Sequence, residues 1–136
     1  MDNKGFSLVE LIIVIAIMAI LIGVLAPMLY KYVEKSREST DITNLDTCVN
    51  VVQAFYADEG IPSGGVTITG AAGGNFAITT PAASTALSSA NADKSAVKGA
   101  WTITATIADD GAITYTATGG KYYQVNAAGT GFEAIP

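Results

Sequence analysis

The 136-residue chain has no histidine and a single cysteine, Cys48. The first absence removes Ser-His and Cys-His nucleophilic arrangements and the commonest metal ligand. The second excludes an intrachain disulfide, so any domain here is held by packing and hydrogen bonds. Charge is scarce as well: 14% of the residues are charged and the net charge is -5. The basic residues are scattered, whereas phosphate binding needs them clustered, so nucleic acid is not indicated as a partner. The densest group, Lys31, Lys35 and Arg37, alternates with Glu34 and Glu38 and reads as a mixed, solvated helix face. The acidic runs Asp109-Asp110-Gly111 and Asp58-Glu59-Gly60 read as turns before they read as calcium ligands. Neither enzyme activity, nor a metal, nor any other cofactor is expected.

Hydrophobic residues, by contrast, make up half of the chain, and they crowd near its start. From Leu11 to Tyr30 the sequence reads LIIVIAIMAILIGVLAPMLY, with no charge. As a helix those ~20 residues are ~30 Å long at 1.5 Å per residue, the thickness of a bilayer's hydrocarbon core. A core helix of that length in a soluble domain would show a polar face, and this one shows none. Three readings remain: a cleaved secretory signal, a plain anchor, or a segment that only passes through the membrane. The run is longer than the 7–15 apolar residues of an ordinary signal, and the start, Met1-Asp2-Asn3-Lys4-Gly5, is weakly basic. Glu10 abuts the run directly. An unpaired carboxylate is unfavourable there (~2.5–3.5 kcal/mol at mid-bilayer), so it calls for a partner that a plain anchor does not need.

Gly5-Phe6-Ser7-Leu8-Val9-Glu10, followed by unbroken apolar sequence, resembles the class III signal of type IV pilins and pseudopilins. The resemblance is direct over about residues 1–60 and architectural beyond. It implies a leader, residues 1–5, removed by a membrane-embedded prepilin peptidase between Gly5 and Phe6, with N-methylation of the new N-terminal Phe6. It also implies that Glu10 serves subunit assembly. Cleavage frees a positive amine at Phe6, and a neighbouring copy's Glu10 carboxylate can answer it in low dielectric. A simpler role for Glu10, capping the helix start and favouring its dipole, needs no second copy. Basic residues are denser after the apolar run than before it, which alone would keep the C-terminal domain cytoplasmic. The resemblance implies the opposite orientation.

The helical pattern continues past the apolar run. Val33, Ile42, Leu45, Val49, Val52 and Tyr56 recur mostly at spacings of three and four, flanked by Cys48 and Phe55. Glu38, Asp41, Asn44, Asp46 and Gln53 are read on the opposite, polar side, and the helix is expected to end near Asp58-Glu59-Gly60, ahead of Pro62. Gly23 and Pro27 predict a kink, because Pro27 has no N–H and its ring crowds the Gly23 carbonyl. After Gly60 the period becomes two. Strands are predicted over Trp101–Ile107, Ala112–Ala117, Lys121–Val125 and Phe132–Ile135, with a hairpin loop at Asp109-Asp110-Gly111. Val66–Thr69 and Asn75–Thr79 read as further short strands or an ordered loop. Pro81–Gly99 reads as a loop with a short helix around Asp93–Lys98. The expected fold class is α+β: a long N-terminal helix packed on an antiparallel meander of three or four strands. Its segments are a leader (1–5), a transmembrane and filament-core helix (6–30), an amphipathic helix (31–59) and a globular domain (60–136).

The resemblance implies a structural subunit, a major pilin, that sits in the cell membrane and then joins an extracellular pilus used in adhesion or twitching motility. Its implied partners are other copies of itself in a helical filament, prepilin peptidase, the inner-membrane assembly platform with its motor ATPases, and membrane lipid before assembly. The alternatives are a pseudopilin of a type II secretion or DNA-uptake system, and a membrane-anchored binding or enzymatic domain that never polymerises.

Overall fold

A computed structural model describes residues 4–57, 59–79 and 94–136. The chain divides into two compact units, Met1–Val33 and Glu34–Pro136. One helix, α1 (Leu8–Tyr56), supplies almost all of the first unit and opens the second. In the first unit its apolar side chains are exposed all round, Ile12, Ile17, Leu21 and Leu25 among them. This helix is long and apolar enough to cross a membrane. It is unbroken through Gly23 and Pro27.

From Glu34 on, α1 becomes one-sided. Leu45, Cys48, Val49, Val52 and Tyr56 are buried, at the three- and four-residue spacing that keeps them on one face. Ile42 packs against this core, while Val33 and Phe55, read as part of the stripe or its flank, stay exposed. The helix stops at Tyr56; Asp58 lies outside the described residues, and Gly60 follows with φ 76°. Opposite the stripe lie β1 (Val66–Ala71), β2 (Ala77–Ile78), β3 (Thr102–Ile107) and β4 (Ile113–Thr118). They form one antiparallel sheet in the order β2-β1-β3-β4. Its inner face presents Val66, Ile68, Ile103, Ala105 and Ile107, and Phe76, Val97 and Trp101 complete the core. Helix on antiparallel sheet is the expected α+β class.

The strand order differs from a meander of consecutive strands. Val66–Ala71 is central, paired along its length with β3 from Val66↔Ile107 to Ala71↔Thr102. The last two runs, β5 (Tyr123–Val125) and β6 (Phe132–Ala134), pair only with each other. The reason lies in the amides just before β5 and at its first residue. The N–H groups of Lys121, Tyr122 and Tyr123 all donate to the Glu38 carboxylate, so they are not free to extend a ladder from β4. The β3–β4 hairpin loop falls where Asp-Gly predicted it. Gly111 takes φ 85°, a conformation that costs residues with a Cβ, and Asp110 Oδ1 accepts the Ala112 N–H at 2.9 Å. The helix expected around Asp93–Lys98 does not form over 94–98, and Asp93 lies outside the described residues. Lys94 bridges Asn75, and the following amides turn toward Asp41.

Candidate functional site

The start of α1 brings together the residues that the leader motif singled out. Ser7 precedes the helix, and its Oγ accepts the Val9 N–H at 3.3 Å while its carbonyl accepts the Leu11 N–H at 3.2 Å. Glu10, three residues on, reaches back: its Oε2 accepts the Ser7 N–H at 2.8 Å. Ser-x-x-Glu in this reciprocal geometry is a capping box, which satisfies amides that the first helical turn leaves without partners. Its carboxylate also lies at the positive end of the helix dipole. The single chain therefore shows the local role for Glu10.

Phe6 stands outside the helix and is 88% exposed; with Glu10, Leu11 and Val14 it lines a shallow open depression. Gly5 is exposed ahead of the helix, and a Cβ built on it would meet nothing within 4 Å. The Gly5–Phe6 bond thus lies in exposed chain just ahead of the capped helix. Gly23 likewise has open space around it.

A second cluster, in the other unit, was misread in the sequence. Glu38 and Asp41 are not on a solvated face; both are buried. Glu38 Oε1 accepts the Lys121 N–H at 2.8 Å, and its Oε2 accepts those of Tyr122 and Tyr123 at 2.9 and 3.0 Å. Asp41 accepts the Ser95 hydroxyl at 2.5 Å and the amides of Ala96 and Val97 at 2.6 and 3.3 Å. Three donors on each carboxylate replace the water it has lost. Of the remaining charges, Lys31 and Lys35 are exposed as read, whereas Arg37 and Glu34 pair at 3.1 Å and are both partly buried. The signal was present in the spacing. Asp41 is four residues before Leu45 and Glu38 three before Asp41, which continues the buried stripe backwards.

Two further groups have displaced titrations. Burial pushes the Cys48 thiol up to about 11, and Cys48 serves as a small core hydrophobe. Burial, then the hydrogen bond to Asp46 Oδ1 at 3.0 Å, pushes the Tyr115 phenol up to about 12. Asp109 and Asp110 spend their oxygens on the amides of Gly64 and Ala112. Among the described residues, no cluster of three or more Cys, Asp or Glu side chains is placed to hold a metal.

Residues 1–26 match the family described as the prokaryotic N-terminal methylation motif. The chain is also similar to the type IV major pilin protein PilA of Myxococcus xanthus, 35% identical over 57 residues. That stretch is 42% of this chain and 26% of the relative, so the chain spans about a quarter of that protein's length. No solved structure matches. Both matches are similarities of part of the chain, and they point the same way as the resemblance to type IV pilins carried by the residues around Gly5, Phe6 and Glu10.

Proposed function

We propose that the chain is a structural subunit of a type IV pilus, cut between Gly5 and Phe6, methylated at Phe6, and assembled through the first half of α1. The observation that carries this reading is the first unit itself: a helix of Ile, Leu, Val and Met exposed on every side. Water does not tolerate such a surface, and removing it is worth roughly 25 cal/mol per Å². Lipid covers it while the subunit is stored in the membrane, and in a filament the same helices of other copies cover it. In that setting each Glu10 carboxylate keeps its own cap and meets the Phe6 amine of a neighbour, which fixes the axial register more than it adds stability. Opening of the helix between Gly23 and Pro27, where the Gly23 carbonyl has no N–H four residues on, lets subunits adapt within the bundle. A filament subunit, and not a pseudopilin, is favoured because the similar protein is named a major pilin. Prepilin peptidase, an assembly platform and motor ATPases are the partners this pathway needs.

Mass spectrometry of material sheared from cells tests the reading. N-methylated Phe6 at the N-terminus of sheared filaments is the expected result. An intact Met1, or a cut after Ala26, would show an anchor or an ordinary secreted protein instead.

A further inference from the structure

The second unit keeps its opposite charges at opposite ends. Its basic residues all lie where α1 enters it. Lys35 and Arg37 are on the helix there, Lys94 and Lys98 flank the loop held by Asp41, and Lys121 begins the segment held by Glu38. Arg37 is paired with Glu34, but Lys35, Lys94, Lys98 and Lys121 are exposed and make no ion pair among the described residues. The carboxylates nearest them, Glu38 and Asp41, are buried and already bonded to backbone amides. The far end, where α1 stops, is acidic. Glu59 follows the helix, and Asp109 and Asp110 form the β3–β4 turn, which Asp109 ties to the Gly64 N–H at 2.9 Å. All three acids are exposed, and no basic residue accompanies them. Asp46 and Glu133 are held by Tyr115 Oη and Gln124 Nε2.

From Glu38 to Tyr56 the helix rises about 27 Å, well beyond the screening length at physiological salt, so the two ends do little for each other within one chain. Crowding charges of one sign costs self-repulsion, and solubility is better served by interspersed signs. The separation becomes favourable between copies. Copies packed in parallel all carry the basic end on the same side. Level with one another they set like charges together; displaced along the axis by about the length of the unit, they set opposite charges together. We propose that the lysines at the entry end dock the acidic turn of a second copy of this chain. This contact presupposes the filament proposed above, and it joins a farther copy than the one whose Phe6 amine Glu10 meets. The turn suits the role. Bonds to the amides of Gly64 and Ala112 hold its two carboxylates in place, and each keeps a second oxygen for a lysine. Exposed ion pairs are individually weak, so the contact selects the displacement while the apolar helices supply most of the cohesion.

The direct test is carbodiimide cross-linking of filaments sheared from cells, read by peptide mass spectrometry. A zero-length amide between Lys94, Lys98 or Lys121 and Asp109 or Asp110 is expected, and the ~27 Å between the ends means that such a link joins two copies. Filaments cross-linked elsewhere but not between these ends would overturn the proposal. Charge reversal is the second arm. Lys94→Glu/Lys98→Glu is expected to lower filament yield roughly fivefold, as two exposed pairs turned repulsive would, with processed subunit and unfolding midpoint unchanged. Adding Glu59→Lys/Asp110→Lys to that chain restores opposite ends and should recover the yield, which a merely structural role for these residues would not allow. Wild-type yield from the first variant, or no recovery in a combined chain of unchanged midpoint, would overturn the contact. Asp109→Asn/Asp110→Asn keeps the turn's acceptors and covers the case in which the reversed chains do not fold; about a twofold loss is expected. Unchanged yield, with vesicles of phosphatidylglycerol retaining wild type and not Lys94→Glu/Lys98→Glu, would assign the lysines to lipid instead. Wild-type filaments without the link refute this contact alone, whereas processed subunit that never leaves the membrane refutes the filament and the contact together.

Discussion

Leu21 and Leu45 lie on the same helix and carry the same side chain, yet Leu21 is 54% exposed and Leu45 wholly buried. Around Leu21 every neighbouring position on the helix is also apolar and exposed; around Leu45 only one stripe is apolar, and it is covered by the sheet. The apolar side chains of the first unit are exposed, whereas those of the second are covered by its own sheet. Carboxylates follow the same division. Glu10 is exposed and bonded to the amide three residues before it, whereas Glu38 and Asp41 are buried and bonded across 83–85 and 54–56 residues of chain. A local contact stabilises a helix end; contacts over such separations hold loops to it.

Substitutions can break this contrast, beginning with the largest effect. Asp41→Ala strands three donors, two of them backbone amides, and each abandoned buried donor costs about 1–3 kcal/mol; a total of about 3–5 kcal/mol is expected. Urea unfolding of the full chain in detergent, followed by the fluorescence of Trp101, reads this as a lowered midpoint. Asp41→Asn keeps one acceptor and should lose less. Next comes a matched pair. Leu45→Ala should cost about 2–5 kcal/mol in the same assay by opening a core cavity, while Leu21→Ala should leave the midpoint where it is. A loss from Leu21→Ala as large as that from Leu45→Ala would erase the distinction between the units.

Alkaline pH gives a smaller and more gradual effect. Both the Cys48 thiol and the Tyr115 phenol titrate higher when folded, at about 11 and about 12 against ordinary values of 9.0 and 10.0. Their contribution is therefore complete below pH 9 and declines as pH rises to 12, where the unfolded chain gives up these protons first. Tyr115→Phe should flatten the part of that decline above pH 10. The smallest effect is expected from Gly23→Ala. The new methyl meets nothing within 4 Å, and the helix gains up to about 1 kcal/mol of propensity, seen as a slight rise in helical signal.

The class of fold was legible because its two signals are periodic. Twenty uncharged residues, a three-and-four stripe from Leu45 to Tyr56, and the alternation of Trp101–Ile107 each map directly onto a buried or exposed face. Strand partnership was not legible, since alternation names a strand and leaves its neighbour open. Val66–Ala71 has the same period whether it lies central or at an edge. The separation of β5 and β6 from the main sheet depends on Glu38, whose role was hidden by reading it as part of a solvated helix face. At the helix start, Ser7 and Glu10 show the three-residue spacing of a capping box in the sequence itself.

That capping contact also supplies the means to isolate the central claim, that Glu10 acts between copies of the chain through its charge. Glutamine at this position still accepts the Ser7 N–H, so Glu10→Gln preserves the helix start and removes only the negative charge. The decisive measurement is the yield of surface filaments from cells expressing Glu10→Gln, beside the amount of processed subunit in their membranes. The account predicts normal processing and insertion with filaments reduced at least tenfold, the factor that about 1.4 kcal/mol in assembly free energy would produce. Filaments at wild-type yield would contradict it and leave Glu10 as a helix cap.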